Sequence, residues 1–147
     1  MKYRMFFYCF FMVAVFLSAQ STASEIEVLL NTKAITYSQA ARFTLEAANV
    51  QAFDNPGEAF NYAVQQGWLP GNVGPDDSAR LDRISLLLMR AFNIGGGIMY
   101  SITGNSHYAY RELVYINVIQ RRSDPAMFVS GERLLFYVGR LLSLQEK

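Results

Sequence analysis

The sequence predicts an all-α protein built from two to three helix–loop–helix repeats, and three observations support this prediction. Residues 60–69 match residues 110–119 without a gap, and residues 81–92 match residues 131–142 at the same spacing of fifty residues. Three segments carry apolar residues at the 3.6-residue period of an amphipathic helix. The single cysteine, Cys9, lies in the N-terminal apolar stretch, so the rest of the chain has no disulfide and depends on an apolar core. Repeats of this size bury such a core by stacking on their copies.

The N-terminus has the organisation of a secretory signal. Lys2 and Arg4 precede the uncharged apolar stretch Met5–Leu17, which is followed by the small polar run Ser18–Ser24. We expect cleavage after Ala23 or one residue later, so residues 1–23 are interpreted as the signal and residues 24–147 as the repeat domain. An uncleaved anchor is the alternative, but the apolar stretch is shorter than the ~20 residues that span a bilayer.

The composition excludes several function classes. Residues 24–147 hold eleven basic and twelve acidic side chains, so their net charge is −1 and no basic excess favours nucleic acid or an anionic membrane surface. His107 is the only histidine, and with no cysteine beside it we expect no metal site and no cofactor. No Ser-His-Asp or Cys-His system is recognisable, so we expect no enzyme.

Three helices are predicted from their apolar stripes and from their start signals. Their N-caps are predicted to be Thr36, then Ser78 or Asp82, and Ser130. The glycines 95–97 are expected to end the second helix. The stripes are Ala40, Phe43, Thr44 and Ala47; Ile84, Leu87, Leu88 and Ala91; and Leu134, Tyr137, Val138 and Leu141.

Further helical patterns lie between these three. Gly57–Gln66 is expected to end at Gly67 and to lead into a turn-rich loop, and His107–Ile119 leads into a loop that holds Pro125, in register with Pro75. Residues 25–30 leave space for one short helix, and short strands are considered near Phe53 and at residues 98–102. The predicted repeats cover about residues 25–50, 52–94 and 102–144.

These segments resemble the surface-layer homology (SLH) repeat. Residues 59–71 (AFNYAVQQGWLPG), a Pro-Asp loop and residues 79–92 (ARLDRISLLLMRAF) follow the order of that family's motifs. Phe53-Asp54 resembles its aromatic-Asp opening, and His107-Tyr108-Ala109 resembles the His-Trp-Ala that begins its first helix. Residues 35–41 (ITYSQAA) and 129–135 (VSGERLL) resemble the start of its second helix, and the resemblance covers nearly all of residues 30–144.

The resemblance implies binding of cell-wall polysaccharide in grooves between repeats. In that family the arginine of a Thr-Arg-Ala-Glu motif pairs with an acidic ketal on the sugar, a task that suits the bidentate guanidinium. The corresponding residues here are Tyr37, Leu81 and Gly131, none of which is cationic. The nearby arginines could act from an adjacent turn or could be solvated helix-surface residues; they are Arg80, Arg83 and Arg133.

Aromatic side chains supply the other candidate ligand contacts. Trp68 and Tyr110 are expected in the core because they share the register of apolar partners. Tyr108 is predicted to be the exposed aromatic that could stack on a sugar or peptide, and His107 is predicted to be a polar residue at a helix start. Residues 95–104 lack the lysine of a phosphate loop, so they are interpreted as a linker.

We therefore predict an exported, non-catalytic module of the periplasm or cell envelope that contacts peptidoglycan or wall-associated glycan. The alternative is a periplasmic protein-interaction or assembly subunit that keeps the fold and has lost the glycan site. The residues of the chain that we predict to bind a ligand are Tyr108, His107, Arg80, Arg83 and Arg133. The partner is then a cell-wall glycan or an envelope protein, and membrane insertion of the mature chain is not expected.

Overall fold

Residues 23–146 are described by a computed structural model, and the predicted mainly α fold is confirmed for this part of the chain. The predicted signal lies outside it, except for its last residue. The helices are α1 (residues 23–31), α2 (Tyr37–Ala47), α3 (Pro56–Gln65), α4 (Leu81–Ala91), α5 (Ile98–Thr103), α6 (Ser106–Tyr115) and α7 (Gly131–Gln145). Within residues 23–146 no strand forms, so the strands considered near Phe53 and at residues 98–102 are absent, and residues 98–102 are helical.

Three short extended segments meet in a closed ring of backbone hydrogen bonds. The Ile35 N–H donates to the Val129 carbonyl (2.9 Å), the Val129 N–H to the Ala79 carbonyl (2.9 Å), and the Ala79 N–H to the Ile35 carbonyl (2.8 Å). All three residues are fully buried. Because buried amides need partners, this ring satisfies six polar groups at the centre of the molecule without a sheet. Each segment then leads directly into α2, α4 or α7.

The starts of these three helices are held by loops from elsewhere in the chain. An α-helix leaves its first amides without intrahelical partners, and loop carbonyls accept from them here. The bonds run from Tyr37 and Ser38 to the carbonyls of Asp77 and Pro75, from Leu81 and Asp82 to those of Met127 and Pro125, and from Gly131 to that of Thr32. The two prolines placed in register by the sequence therefore accept equivalent bonds.

The ends of α3 and α6 also recur at the fifty-residue spacing. Gly67 (φ 70°) and Asn117 (φ 61°) both adopt the left-handed conformation, in which glycine and asparagine are favoured. The next amide bonds back into the helix at each position: Trp68 to Ala63 (2.8 Å) and Val118 to Leu113 (2.9 Å). The predicted helix His107–Ile119 is therefore too long, because the chain reverses at Asn117.

Two of the predicted N-caps are confirmed and one is wrong. The Thr36 hydroxyl accepts from the Gln39 N–H in a capping box, and the Ser130 hydroxyl accepts from the Arg133 N–H. The N-cap of α4 is Arg80, which makes no side-chain cap, and not Ser78 or Asp82. The amide of Arg83, which an N-cap side chain would normally satisfy, donates instead to the Asp82 side chain at 2.8 Å.

The end of α4 also differs from the prediction, because an asparagine and not a glycine turns the chain there. The helix ends at Ala91, and Asn93 (φ 51°) makes the left-handed turn before the chain reaches Gly95. Asn49 (φ 54°) does the same after α2. Asparagine is the non-glycine residue that enters this conformation most readily, so the glycines 95–97 belong to the following connection.

The core runs along the predicted stripes, but the closest helix pairs join neighbouring repeats. The α4 and α7 stripes are buried, as is half of the α2 stripe, in which Phe43 and Ala47 are half-buried. α2 packs against α3, α4 against α6, and the short α5 against α6. The two helices that flank each Pro/Gly loop, α3 with α4 and α6 with α7, therefore pack mainly on other helices and not on each other. No helix in residues 23–146 is both long and apolar enough to cross a membrane.

Candidate functional site

The first helical residues of α2, α4 and α7 are Tyr37, Leu81 and Gly131, and we call them the N1 positions. Tyr37 is 1% exposed, and its hydroxyl accepts a hydrogen bond from the Arg80 N–H at 3.3 Å. Burial raises the pKa of the Tyr37 hydroxyl above its ordinary value, more than nearby arginines lower it. The side chain therefore joins the start of α2 to the start of α4 and does not face solvent.

The other two N1 positions are closed in different ways. Leu81 is fully buried, and its carbonyl accepts from the buried Ser85 hydroxyl at 2.7 Å. A Cβ atom added to Gly131 would overlap the carbonyl oxygen of Leu29, at the end of α1. The backbone itself thus excludes a side chain there. None of the N1 positions can present a group to a ligand.

Arg80 lies next to an N1 position, but its charge is already matched. Its guanidinium donates to both carboxylate oxygens of Asp82, with Nε–Oδ1 at 3.2 Å and Nη2–Oδ2 at 2.8 Å. This hydrogen bonding raises the pKa of Arg80 above its usual range. An acidic ligand would have to displace Asp82 to obtain the same bidentate geometry.

The other two candidate arginines occupy the third helical position of α4 and α7. Arg83 donates from Nη1 to the Asn72 side-chain oxygen (3.1 Å), and Arg133 contacts the Met127 sulfur through Nη1 (2.9 Å). Each arginine therefore reaches back to the loop before its own helix. Their partners are neutral, so both guanidinium groups keep a net positive charge at the loop end of the molecule.

His107 and Tyr108 lie at the opposite end of α4 from Arg80. Gly104, just before α6, lies against the last turn of α4, with its added Cβ 2.9 Å from Arg90 Nη2. Arg80 and Arg90 are ten residues apart, or about 15 Å along a helix. The five predicted ligand-binding residues therefore form an arginine group and a separate His107–Tyr108 pair, whose rings meet edge to face at 5.4 Å.

The prediction that Tyr108 is the exposed aromatic is wrong. Tyr108 is half-buried and packs against the core. Among the tyrosines of residues 23–146, the exposed one is Tyr115, at 79%. Tyr115 lies on the last turn of α6, on the side away from the buried Ala109 and Leu113. This helical spacing from the apolar positions is the sequence signal that could have identified it as exposed. His107 is exposed at the start of α6, as expected, and its N–H donates to the Asn105 side chain at 2.7 Å.

The two aromatic residues predicted to be in the core are half-buried and contact it. Trp68 meets Tyr62 edge to face with ring centres 5.9 Å apart, and the Tyr110 hydroxyl donates to the Ser123 carbonyl at 2.5 Å. Both rings pack on the core, and the Tyr110 hydroxyl also has a hydrogen-bond partner at its edge, which is usual for an aromatic side chain with a polar group.

A cavity that sequence reasoning did not identify lies between α1 and α2. It measures about 280 Å³, and its walls include Ile26, Leu29 and Phe43. Arg42 also lines it, with Nε donating to the Phe53 carbonyl (2.9 Å) and Nη2 paired with Glu25 (3.1 Å). In the described part of the chain, no three His, Cys, Asp or Glu side chains are grouped closely enough to hold a metal ion.

No protein family model, curated protein or solved structure matches this chain. Its function is therefore argued from the contacts above and from the resemblance of its motifs.

Proposed function

We propose that this chain is an exported, non-catalytic module of SLH-like architecture that contacts the cell envelope. The observation that carries the proposal is the recurrence of loop-to-helix hydrogen bonds at Tyr37, Leu81 and Gly131, the positions at which the resemblance aligns the three repeats. A repeat architecture of this kind offers grooves and surfaces for binding. By resemblance, peptidoglycan or wall-associated glycan is the first candidate ligand.

A specific observation favours the second candidate, a periplasmic protein-interaction or assembly subunit. Tyr37 and Leu81 serve the core and Gly131 is closed by backbone, so the acidic-ketal site of the family has no cation at its N1 positions. Arg80 is paired with Asp82 and cannot replace the missing cation without losing that partner. Binding in this case depends on exposed aromatic and apolar side chains, which need no net charge.

A paired pull-down separates the two candidates. Purified protein is incubated with peptidoglycan sacculi and, in parallel, as bait in a cell extract. Glycan contact predicts retention on the sacculi that falls in Tyr115→Ser, because Tyr115 is 79% exposed. The control is Val28→Ser, at a 61% exposed residue of α1, which should be retained like the unchanged protein. Retention of a specific extract protein, with no retention on sacculi, supports the interaction subunit. Retention of neither contradicts both.

A further inference from the structure

The three helices that begin at the N1 positions can be compared residue by residue. The fifth, ninth and twelfth residues counted from each N1 position lie along one side of the helix, because 3.6 residues make a turn. We call these three residues the outer line of a helix. The outer lines are Ala41, Leu45 and Ala48 for α2; Ser85, Met89 and Phe92 for α4; and Leu135, Gly139 and Leu142 for α7.

The outer line is closed on α2 and α4 and open on α7. On α4 its residues are 0%, 0% and 1% exposed, and on α2 the first two are fully buried and the third is half-buried. On α7, Leu142 is 38% exposed and Leu135 is half-buried. Gly139 is exposed, and a Cβ atom added to it would meet nothing within 4 Å. Two copies of the same surface are therefore covered and the third is not.

The two closed copies show what kind of element covers an outer line. α2 packs mainly against α3, and α4 mainly against α6, and each covering helix has ten residues. α6 meets α7 on a different side, where Arg140 donates to the Asn117 carbonyl just after α6. α1 contacts the start of α7 at Gly131 and leaves the outer line exposed. The missing cover on α7 is thus a helix of about ten residues.

The outer line of α7 has a notch at its centre. Gly139 stands where α2 has Leu45 and α4 has Met89, so a large apolar side chain is missing there. Leu135 and Leu142 border this position in the preceding and following turns. Because apolar interfaces pack to the density of protein interiors, a helix that covers α7 needs a large apolar side chain of its own at this point.

A carboxylate stands at each end of the outer line of α7. Glu132 is exposed in the first turn, and Glu146 is exposed directly after the helix. The α7 arginines, Arg133 and Arg140, lie on the far side of the helix from this line. Lysine or arginine at the two ends of a covering helix would therefore match the charges.

The same charges disfavour a second copy of this chain as the cover. Glu132 and Glu146 are each seven residues from Gly139. Two antiparallel α7 helices that cross at Gly139 would place Glu132 of one copy opposite Glu146 of the other. Like charges placed opposite each other oppose such a pairing.

We propose that the outer line of α7 binds an amphipathic helix of another protein, which packs on α7 as α3 packs on α2 and α6 on α4. A large apolar side chain at the centre of this helix occupies the notch at Gly139, and basic side chains at its ends face Glu132 and Glu146. A groove that takes spaced apolar anchors is a common way to recognise a helix. The proposal gives the protein-interaction subunit its contact surface and rests on that candidate function.

Peptide titration tests the proposal with a chain that starts at residue 24, which keeps every described residue except Ala23. The probes are labelled, alanine-rich helical peptides of about fourteen residues with lysine at both ends, one with leucine at the centre and one with alanine. By fluorescence anisotropy, we expect a Kd of about 0.1 mM for the central-leucine peptide. The central-alanine peptide should bind about tenfold more weakly, because it leaves the notch empty. A central-leucine peptide with glutamate at both ends should also bind more weakly.

Gly139→Met tests the notch by a size exchange. The new side chain restores what α4 has at Met89, so the central-leucine peptide should lose its advantage and the central-alanine peptide should become the better ligand. The space at Gly139 is open, so the fold should tolerate this change. The same preference for the central-leucine peptide in Gly139→Met would overturn the proposal.

Leu142→Asp and Leu144→Asp form a matched pair on the same helix. The two leucines are 38% and 40% exposed and lie about 200° apart around α7. Leu142→Asp should weaken binding of the central-leucine peptide by about tenfold or more, whereas Leu144→Asp should bind it like the unchanged chain. Thermal unfolding shows whether each variant keeps the fold.

Three other results would also overturn the proposal. They are the absence of binding by the central-leucine peptide, equal effects of Leu142→Asp and Leu144→Asp, and a dimer in sedimentation that Leu142→Asp abolishes, which would make a second copy the cover. The titration uses neither sacculi nor cell extract. Its failure would therefore remove this surface while leaving the outcome of the paired pull-down unchanged.

Discussion

At the start of α7, the backbone of α1 leaves no space for a side chain. The replacement Gly131→Ala should lower the free energy of unfolding by about 2 kcal/mol or more, because the new Cβ overlaps the Leu29 carbonyl and a backbone atom cannot swing aside. Urea unfolding measures the effect.

Gly139→Ala is the control in the same helix. An added Cβ meets nothing within 4 Å there, so we expect a gain of about 0.5–1 kcal/mol from the higher helix propensity of alanine. A Gly131→Ala protein as stable as the unchanged one would mean that α1 does not lie against α7.

Tyr37 links pH to stability through its burial. Its folded-state pKa is raised, as is that of buried Tyr137, so the folded protein holds these protons more tightly than the unfolded chain does. The corresponding stability is present below about pH 10 and is lost as the pH rises through the folded-state pKa. We expect the free energy of unfolding to fall above about pH 10, and to fall less steeply in Tyr37→Phe. The same alkaline slope in both proteins would contradict this role for Tyr37.

At the residue scale, the sequence showed that the positions aligned by the resemblance with the family's arginine carry no cation, but it did not indicate what their side chains do instead. The absence of a cation at residues 37, 81 and 131 can be read directly from the sequence. The closure of Gly131 by Leu29 depends on a residue about a hundred positions away, and no local pattern contains such information. The partial burial of Tyr108 was missed for the same reason, since it depends on contacts with the core that no local pattern contains.

At the scale of the elements, apolar period and capping chemistry were reliable guides. The stripes of α4 and α7 are buried, and the Thr36 capping box formed because Gln39 stands at the position that completes it. The starts and ends that were wrong are those set by long-range contacts or by asparagine. At Arg80 the Asp82 side chain, inside the helix, accepts from the amide that a cap would satisfy. Asn93 and Asn117 end helices where the sequence offered more obvious glycines or a longer apolar run.

The register of the repeat predicts matched effects in two helices. Leu87 and Tyr137 are fifty residues apart and are 0% and 3% exposed, so Leu87→Ala and Tyr137→Ala should each cost about 2–5 kcal/mol of unfolding free energy. Arg83→Ala is the control and should cost under ~0.5 kcal/mol, because it removes only the contact to Asn72 near the surface. Chemical denaturation of the three variants decides this, and similar small effects at all three would show that the register is wrong.

For the whole molecule, the ring of Ile35, Ala79 and Val129 explains how a chain of short helices closes on itself. Each extended segment donates to one neighbour and accepts from the other, so the first and last repeats meet. Fifty-residue spacing in the sequence predicted the copies. The spacing could not predict that helices would pair across repeat boundaries. A hydrophobic stripe shows which face of a helix is buried, but it does not show which helix packs against that face.

Export is a prediction for the whole chain. The n-region at Lys2 and Arg4 and the small residues at 21–23 indicate cleavage before Ser24 or Glu25. Mass spectrometry of the protein taken from its native cells should give a chain that starts at one of these residues. A chain that retains the apolar stretch would instead support an uncleaved anchor.

The central claim of the proposal is that the three N1 positions, which only the resemblance aligns with a glycan-binding arginine, serve the fold. Titrating the purified protein with pyruvylated wall polysaccharide, and with the same polysaccharide after removal of the ketal, tests it most directly. We predict that any binding is the same for both and changes little with salt, because Arg80 is already paired and no N1 position carries a charge. Tight, salt-sensitive binding that disappears with the ketal, or with replacement of Arg80, Arg83 and Arg133, would contradict the claim.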